Sequence, residues 1–311
     1  MSGRRRLIIV LALFLAGLAI AVGLERIGPW RSPARKPDDE GSRPIPQRII
    51  ATAPSMVECL FALGAGQQVV GVGDFATYPP EARAKPRVGG EMNPNFERIL
   101  SLQPDLVVVQ GKAESLDAFC QRYGIALLRI EPDDIATTTA GMHTLGRAVG
   151  REAEADRLVA RIRLDLAAVA LRVAGRPRPK VFLCLGRQIG SLRSLFSTGR
   201  GTFLAELLAV AGGENVLADI EQPYPQVSKE SLVRRAPDVV IELHPGRVLS
   251  EADRQGVLAD WKALGTLPAA AQGRVHVLTD DFLLIPGPRM ARVAERLASV
   301  LHPDAEPTRG R

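Results

Sequence analysis

Three cysteines, Cys59, Cys120 and Cys184, are an odd number without CxxC spacing, so no disulfide framework can be read from the chain. Their apolar neighbours make buried free thiols the expected state. The four histidines, 143, 244, 276 and 302, fall at no metal-ligand spacing, which removes a zinc or manganese binder from the leading readings. No GxSxG elbow occurs, and no local Cys/His or carboxylate pairing marks a catalytic centre. Gly71-Val72-Gly73 is too short for a dinucleotide fingerprint, and FSTGRGTF (196–203) lacks phosphate-loop spacing, although its turn into a helix has N–H groups that would suit an anion. Only two tryptophans are present, Trp30 and Trp261. Basic charge is also scarce once it is located. The chain carries a formal +6, but residues 1–47 hold eight Lys/Arg against four Asp/Glu, and the remaining 32 Lys/Arg and 30 Asp/Glu leave the rest at +2. A nucleic-acid surface is not indicated.

What is present begins with Arg4-Arg5-Arg6 and an uncharged apolar run, Leu7 to Leu24. As a helix it would span roughly 27 Å, close to a hydrocarbon core. A removed signal peptide and an uncleaved transmembrane anchor (residues 1–24) both fit, with the length favouring the anchor and no cysteine following that would carry a lipid. Either way the arginines stay inside and the remainder is exported, placing the protein in the periplasm or another extracytoplasmic space, with an inner-membrane attachment through residues 7–24 if uncleaved. Residues 25–47 contain five prolines amid mixed charge and read as a semi-rigid tether.

From Arg48 the pattern alternates. RIIATA predicts a strand, Pro54-Ser55 open a helix closed by Gly64, and QVVGVG, DLVVV and ALLRI predict further strands with helices between them. Helical pattern returns from Ile135 to Gly150, then from Arg151 to Ala174, where Leu158, Ile162, Leu166, Val169 and Val173 fall on one face. A second alternating series starts at KVFLCL and ends in a helix from about Gly287 to Leu301. The expected fold class is α/β: two lobes, 48–134 and 176–303, with largely parallel sheets flanked by helices, bridged by helices in 135–175, one of them long; 304–311 is a frayed tail.

The chain also repeats itself. NPNFERILSLQPDLVVV and VSKESLVRRAPDVVIEL align Glu97 with Glu230, Pro104 with Pro237 and Asp105 with Asp238, each pair 133 residues apart. With Asn95 and Ser228 as N-caps, both glutamates sit at the second helical position, where the helix dipole favours a carboxylate. One acidic helix start is ordinary capping. Two in corresponding places suit docking onto a two-fold partner with two basic pockets.

The segments RIIATAPSMVECLFALGAGQQVVGV, the YPP loop, NPNFERILSLQPDLVV, AELLAVAGGENV, PYPQVSKESLVRRAPD and PGPRMARVAERLASVLHP resemble, in order over about 48–303, the periplasmic binding proteins for vitamin B12, iron-siderophores and haem that serve ABC importers, the B12-binding members most. That resemblance implies a long bridging helix, a ligand in the interlobe cleft, and Glu97 and Glu230 docking to arginines of a permease dimer. It implies a monomer without a cofactor of its own, whose cargo may contain cobalt or iron, and no catalysis. The rule that α/β sheets bind ligands beyond the carboxyl ends of their strands selects Ser55, Phe75, Tyr78, Glu91, Gln110, Arg187, Phe196, Tyr224, Asp281 and Phe282 as ligand contacts. Glu91 and Gln110 stand where the B12-binding members tend to carry tryptophan. The ligand therefore stays open among corrinoid, siderophore and haem, and an exported small-molecule enzyme or a membrane-tethered ligand sensor on the same scaffold remains the alternative.

Overall fold

The computed structural model describes residues 44–188 and 190–305. The apolar run 7–24 and nearly all of the tether lie outside them; among the described residues no helix is long and apolar enough to cross a membrane.

The first half builds β1 (Ile49–Ala51), α1 (Pro54–Ala62), β2 (Val69–Val72), a 3₁₀ turn at Pro80–Ala84, α2 (Phe96–Ser101), β3 (Leu106–Gln110), α3 (Glu114–Tyr123) and β4 (Ala126–Ile130). Gly64, at φ +77°, closes α1 as its sequence position predicts. The second half builds β5 (Lys180–Cys184), β6 (Leu195–Phe196), α6 (Phe203–Val210), β7 (Glu214–Asn215), β8 (Gln226–Val227), α7 (Lys229–Arg235), β9 (Val239–Leu243), α8 (Glu251–Lys262), α9 (Pro268–Ala271), β10 (Val275–Leu278) and α10 (Met290–Leu301). Between the halves run α4 (Ile135–Ala148) and α5 (Glu152–Val173). Asp134 starts α4 through a reciprocal capping box with Thr137.

Both main sheets are parallel and wound alike. Strand order is β2-β1-β3-β4 in the first and, read from the other edge, β7-β5-β9-β10 in the second. The Pro-Asp repeat belongs to this plan. Asp105 accepts hydrogen bonds from the backbone N–H groups of Gln47 and Arg48 at 2.7 and 3.0 Å, pinning the entry to β1 beside β3. Asp238 accepts from Lys180 N–H at 2.8 Å and pins β5 beside β9. The residues before each proline, Gln103 and Ala236, both take a left-handed conformation, which turns the chain from helix to strand. Asp105→Ala and Asp238→Ala are each expected to cost about 1–2 kcal/mol, the worth of charge-assisted bonds to backbone. Urea unfolding checks this, and unchanged midpoints would contradict the clamp.

Side chains on the central strands alternate between two cores. Ile49, Ala51, Val108, Val181, Leu183, Val239 and Ile241 face one cluster that α1, α4, α5, α6 and α10 share; Ile50, Val107 and Val109 face a second, Phe182, Cys184 and Val240 a third. The halves thus turn one face of each sheet into common apolar packing. The 22-residue α5, roughly 33 Å long, contributes Ala155, Val159, Ile162, Leu166, Val169 and Val173. Its buried stripe therefore starts through Ala155 and Val159, with Leu158 only half-buried, because the stripe advances by alternating steps of four and three. All three cysteines are buried and free. Burial pushes the Cys59 thiol up, that of Cys120 to about 11 and that of Cys184 to about 12.

Candidate functional site: a cleft between the halves

Two adjoining cavities of about 370 and 340 Å³ open where the strands of the two sheets end. The turn after β1, the end of β3 and the turns after β3 and β4 supply one wall; Phe203, Tyr224 and the segment Leu284–Pro286 supply the other. Gln110, Leu284 and Pro286 border both cavities, so they form one cleft. Strand ends are where such sheets leave backbone and loops free for a ligand.

Five residues selected from sequence line this cleft: Ser55, Phe75, Glu91, Gln110 and Tyr224. Phe75 and Met92 project from loops at 78% and 95% exposure, leaving apolar surface open among the described residues. Glu91 is held in place. Its Oε1 accepts from Thr52 Oγ1 at 2.7 Å and from Gln110 N–H at 2.8 Å. The Ser55 hydroxyl donates to Gln110 Oε1, so Ser55 is buried support for the cleft wall. Phe196 is exposed on β6 opposite Gln226 but borders neither cavity.

Arg187 is corrected outright. Its side chain is 4% exposed and its Nε lies 2.9–3.0 Å from both Glu242 oxygens, while Nη1 donates to Asp260 at 2.7 Å. Glu242 also accepts from the Trp261 indole at 2.5 Å and meets His244 at 2.8 Å. Burial opposes the Arg187 charge, but these carboxylates outweigh it and hold its pKa above the usual range. Arg187 knits β9 to α8 in the second lobe's core instead of facing a ligand.

Tyr78, Asp281 and Phe282 depart from expectation together. They gather around Arg289, which sequence reasoning missed. Arg289 reaches across the halves to Glu58 on α1 through a paired contact, Nε to Oε2 at 2.9 Å and Nη2 to Oε1 at 2.6 Å. Its Nη1 donates to Asp281 at 2.7 Å, and its guanidinium lies 3.9 Å over the Tyr78 ring. Phe282 is buried in the shared core. Nearby, Phe203 N–H donates to Asp133 O at 2.7 Å and Ile135 N–H to Glu206 at 2.8 Å, so the halves are stitched behind the cleft. Lys112, Glu131, Asp133 and Leu284–Pro286 were also missed, although the rule that selected Gln110 reaches them.

Glu97 and Glu230 are both exposed in the first turns of α2 and α7. The Asn95 and Ser228 side chains cap these helices as their positions predict, accepting from Arg98 and Ser231 N–H at 2.9 and 3.2 Å. Asn95 N–H bonds Val88 O, and Val88 pairs with the end of β2; Ser228 follows β8, whose partner β6 bonds Leu185 and Gly186 just past β5. Both helices therefore start at the carboxyl, cleft-side ends of their sheets. They finish at the amino ends, where Asp105 and Asp238 hold the strand starts. A backbone N–H of Glu230 itself and the Ser228 hydroxyl keep the Glu230 carboxyl below the usual range.

Two similarly wound lobes, stitched together beside a cleft and spanned by one long helix, have the architecture of a bilobed solute-binding protein. The chain belongs to the periplasmic binding protein family, whose model matches residues 49–282. It is 30% identical over 267 residues to an ABC transporter substrate-binding lipoprotein of Bacillus subtilis, covering 83% of this chain and 81% of that one. It is 26% identical over 260 residues to the vitamin B12-binding protein of Pectobacterium carotovorum, at 83% and 89% coverage. Among solved structures, a periplasmic haem-binding protein from Pseudomonas aeruginosa superposes with a TM-score of 0.74 at 26% identity, over 85% of this chain and 95% of that one.

Proposed function

We propose that the protein is an extracytoplasmic receptor that captures a corrinoid, an iron-siderophore or haem in the interlobe cleft and delivers it to an ABC importer permease. The observation that carries this reading is the cleft at the joined strand ends, in a chain whose relatives are named for B12, haem and ABC transport. Phe75, Met92 and Tyr224 offer flat or yielding apolar contact for a macrocycle, and Glu91 and Gln110 offer polar edges. Glu97 and Glu230 are the docking contacts for the permease dimer. Residues 7–24 direct export and, if retained, hold the receptor at the membrane. Among the described residues no cluster of three or more His, Cys, Asp or Glu side chains could hold a metal ion. On this reading, cobalt or iron would be part of the cargo.

Equilibrium dialysis against cobinamide, haemin and ferric siderophores tests the reading. Saturable uptake of one of them, recovered chemically unchanged, is the expected result. A chemically altered product on recovery would favour an enzyme.

A further inference from the structure

We propose that the cleft selects by charge: its acidic lining admits neutral or cationic chelates and macrocycles whose periphery offers N–H donors, and excludes those whose periphery is carboxylate or catecholate. The inference rests on the receptor reading and narrows its ligand class.

Four side chains with formal charge border the two cavities, Glu91, Glu131 and Asp133 against Lys112. Glu131 and Asp133 take no side-chain hydrogen bond or ion pair among the described residues. Glu91 spends Oε1 on Thr52 and Gln110, which orients the carboxylate and leaves Oε2 to accept from a guest. Opposite them stands Tyr224, whose phenol is pushed up by burial and then by the Asp133 charge, so negative potential reaches both walls.

Cations near the cleft do not reverse this balance. Arg289 faces two carboxylates, Glu58 and Asp281. Arg129 is paired with Asp117, and Arg200 with Glu221 at 3.4 Å. Arg87 caps the carbonyls of Gly73 and Ala76, beside Asp74 in the same loop. A polyanionic guest would thus meet three carboxylates and one ammonium along the cleft, where like charges repel it. A carboxamide periphery meets acceptors instead.

Matched probes isolate charge from shape. Dicyanocobinamide and dicyanocobyrinic acid share a corrin ring but carry carboxamides and carboxylates, respectively; ferrioxamine B and a ferric tris-catecholate make the corresponding iron pair. The amide or cationic member is expected to bind at least roughly tenfold tighter than its anionic counterpart, with the gap narrowing as salt rises. In Glu131→Gln/Asp133→Asn, exposed positions that tolerate substitution, that ratio is expected to fall several-fold. Equal or tighter binding of the anionic members would overturn the charge filter while leaving the receptor standing. Absence of binding by all four would overturn this inference, and the receptor reading falls with it only if haemin is not bound either. A ratio unmoved in the double variant, with ultraviolet circular dichroism unchanged, would also overturn the assignment to these residues.

Discussion

Uptake in cells carrying Glu97→Lys together with Glu230→Lys is expected to fall to that of cells lacking the protein, while the affinity for ligand in solution stays within about twofold. Both glutamates are exposed at helix starts, clear of the residues bordering the two cavities. Glu230 keeps its charge because its own backbone and Ser228 favour the ionised form. If the two glutamates dock to permease arginines as proposed, reversing either charge exchanges an attraction for a repulsion, worth about a hundredfold or more per buried pair. Single variants should therefore retain intermediate uptake, and the double variant none. Transport assays beside binding titrations decide it. Wild-type uptake by the double variant would sink the docking role, and lost affinity would mean that the substitutions reach the cleft.

The second large effect concerns stability. Arg289→Met leaves Glu58, 2% exposed at its side chain, and Asp281 without their shared cation. Removing one member of a buried ion pair costs about 3–5 kcal/mol, because the abandoned charge has no solvent to turn to. For a chain of this size that is a drop of roughly 6–20 °C in Tm. Glu58→Gln/Arg289→Met should recover part of the loss, since an uncharged pair carries less desolvation penalty. Thermal and urea melts of the three proteins check the sequence of effects. A loss below about 1 kcal/mol in the single variant would show that the ion pair is not the interlobe tie described above.

Much of this architecture was legible because it is local. Alternating β-rich and helical segments, the Asn95 and Ser228 caps, the Gly64 stop and the single-faced apolar stripe of α5 all follow from neighbours within a few residues. The repeat around Glu97 and Glu230, aspartates included, was legible too, but the role of those aspartates was not, since Asp105 and Asp238 act on backbone 57–58 residues earlier. The same distance problem explains the site errors. Arg187 looked like a cleft residue because it follows β5, yet its partners, Glu242 and Asp260, lie 55 and 73 positions away. Arg289 and Glu58 are separated by 231 positions. Two-residue strands such as β6 and β8 carry too few side chains for any periodicity to register.

The apolar interior common to both sheets has a thermodynamic corollary. Neither half can melt without exposing the greasy face of the other, so heat should unfold the molecule in one cooperative step. A guest bound at the mouth then stabilises the whole chain, and cargo occupancy registers as a single upward displacement of that transition.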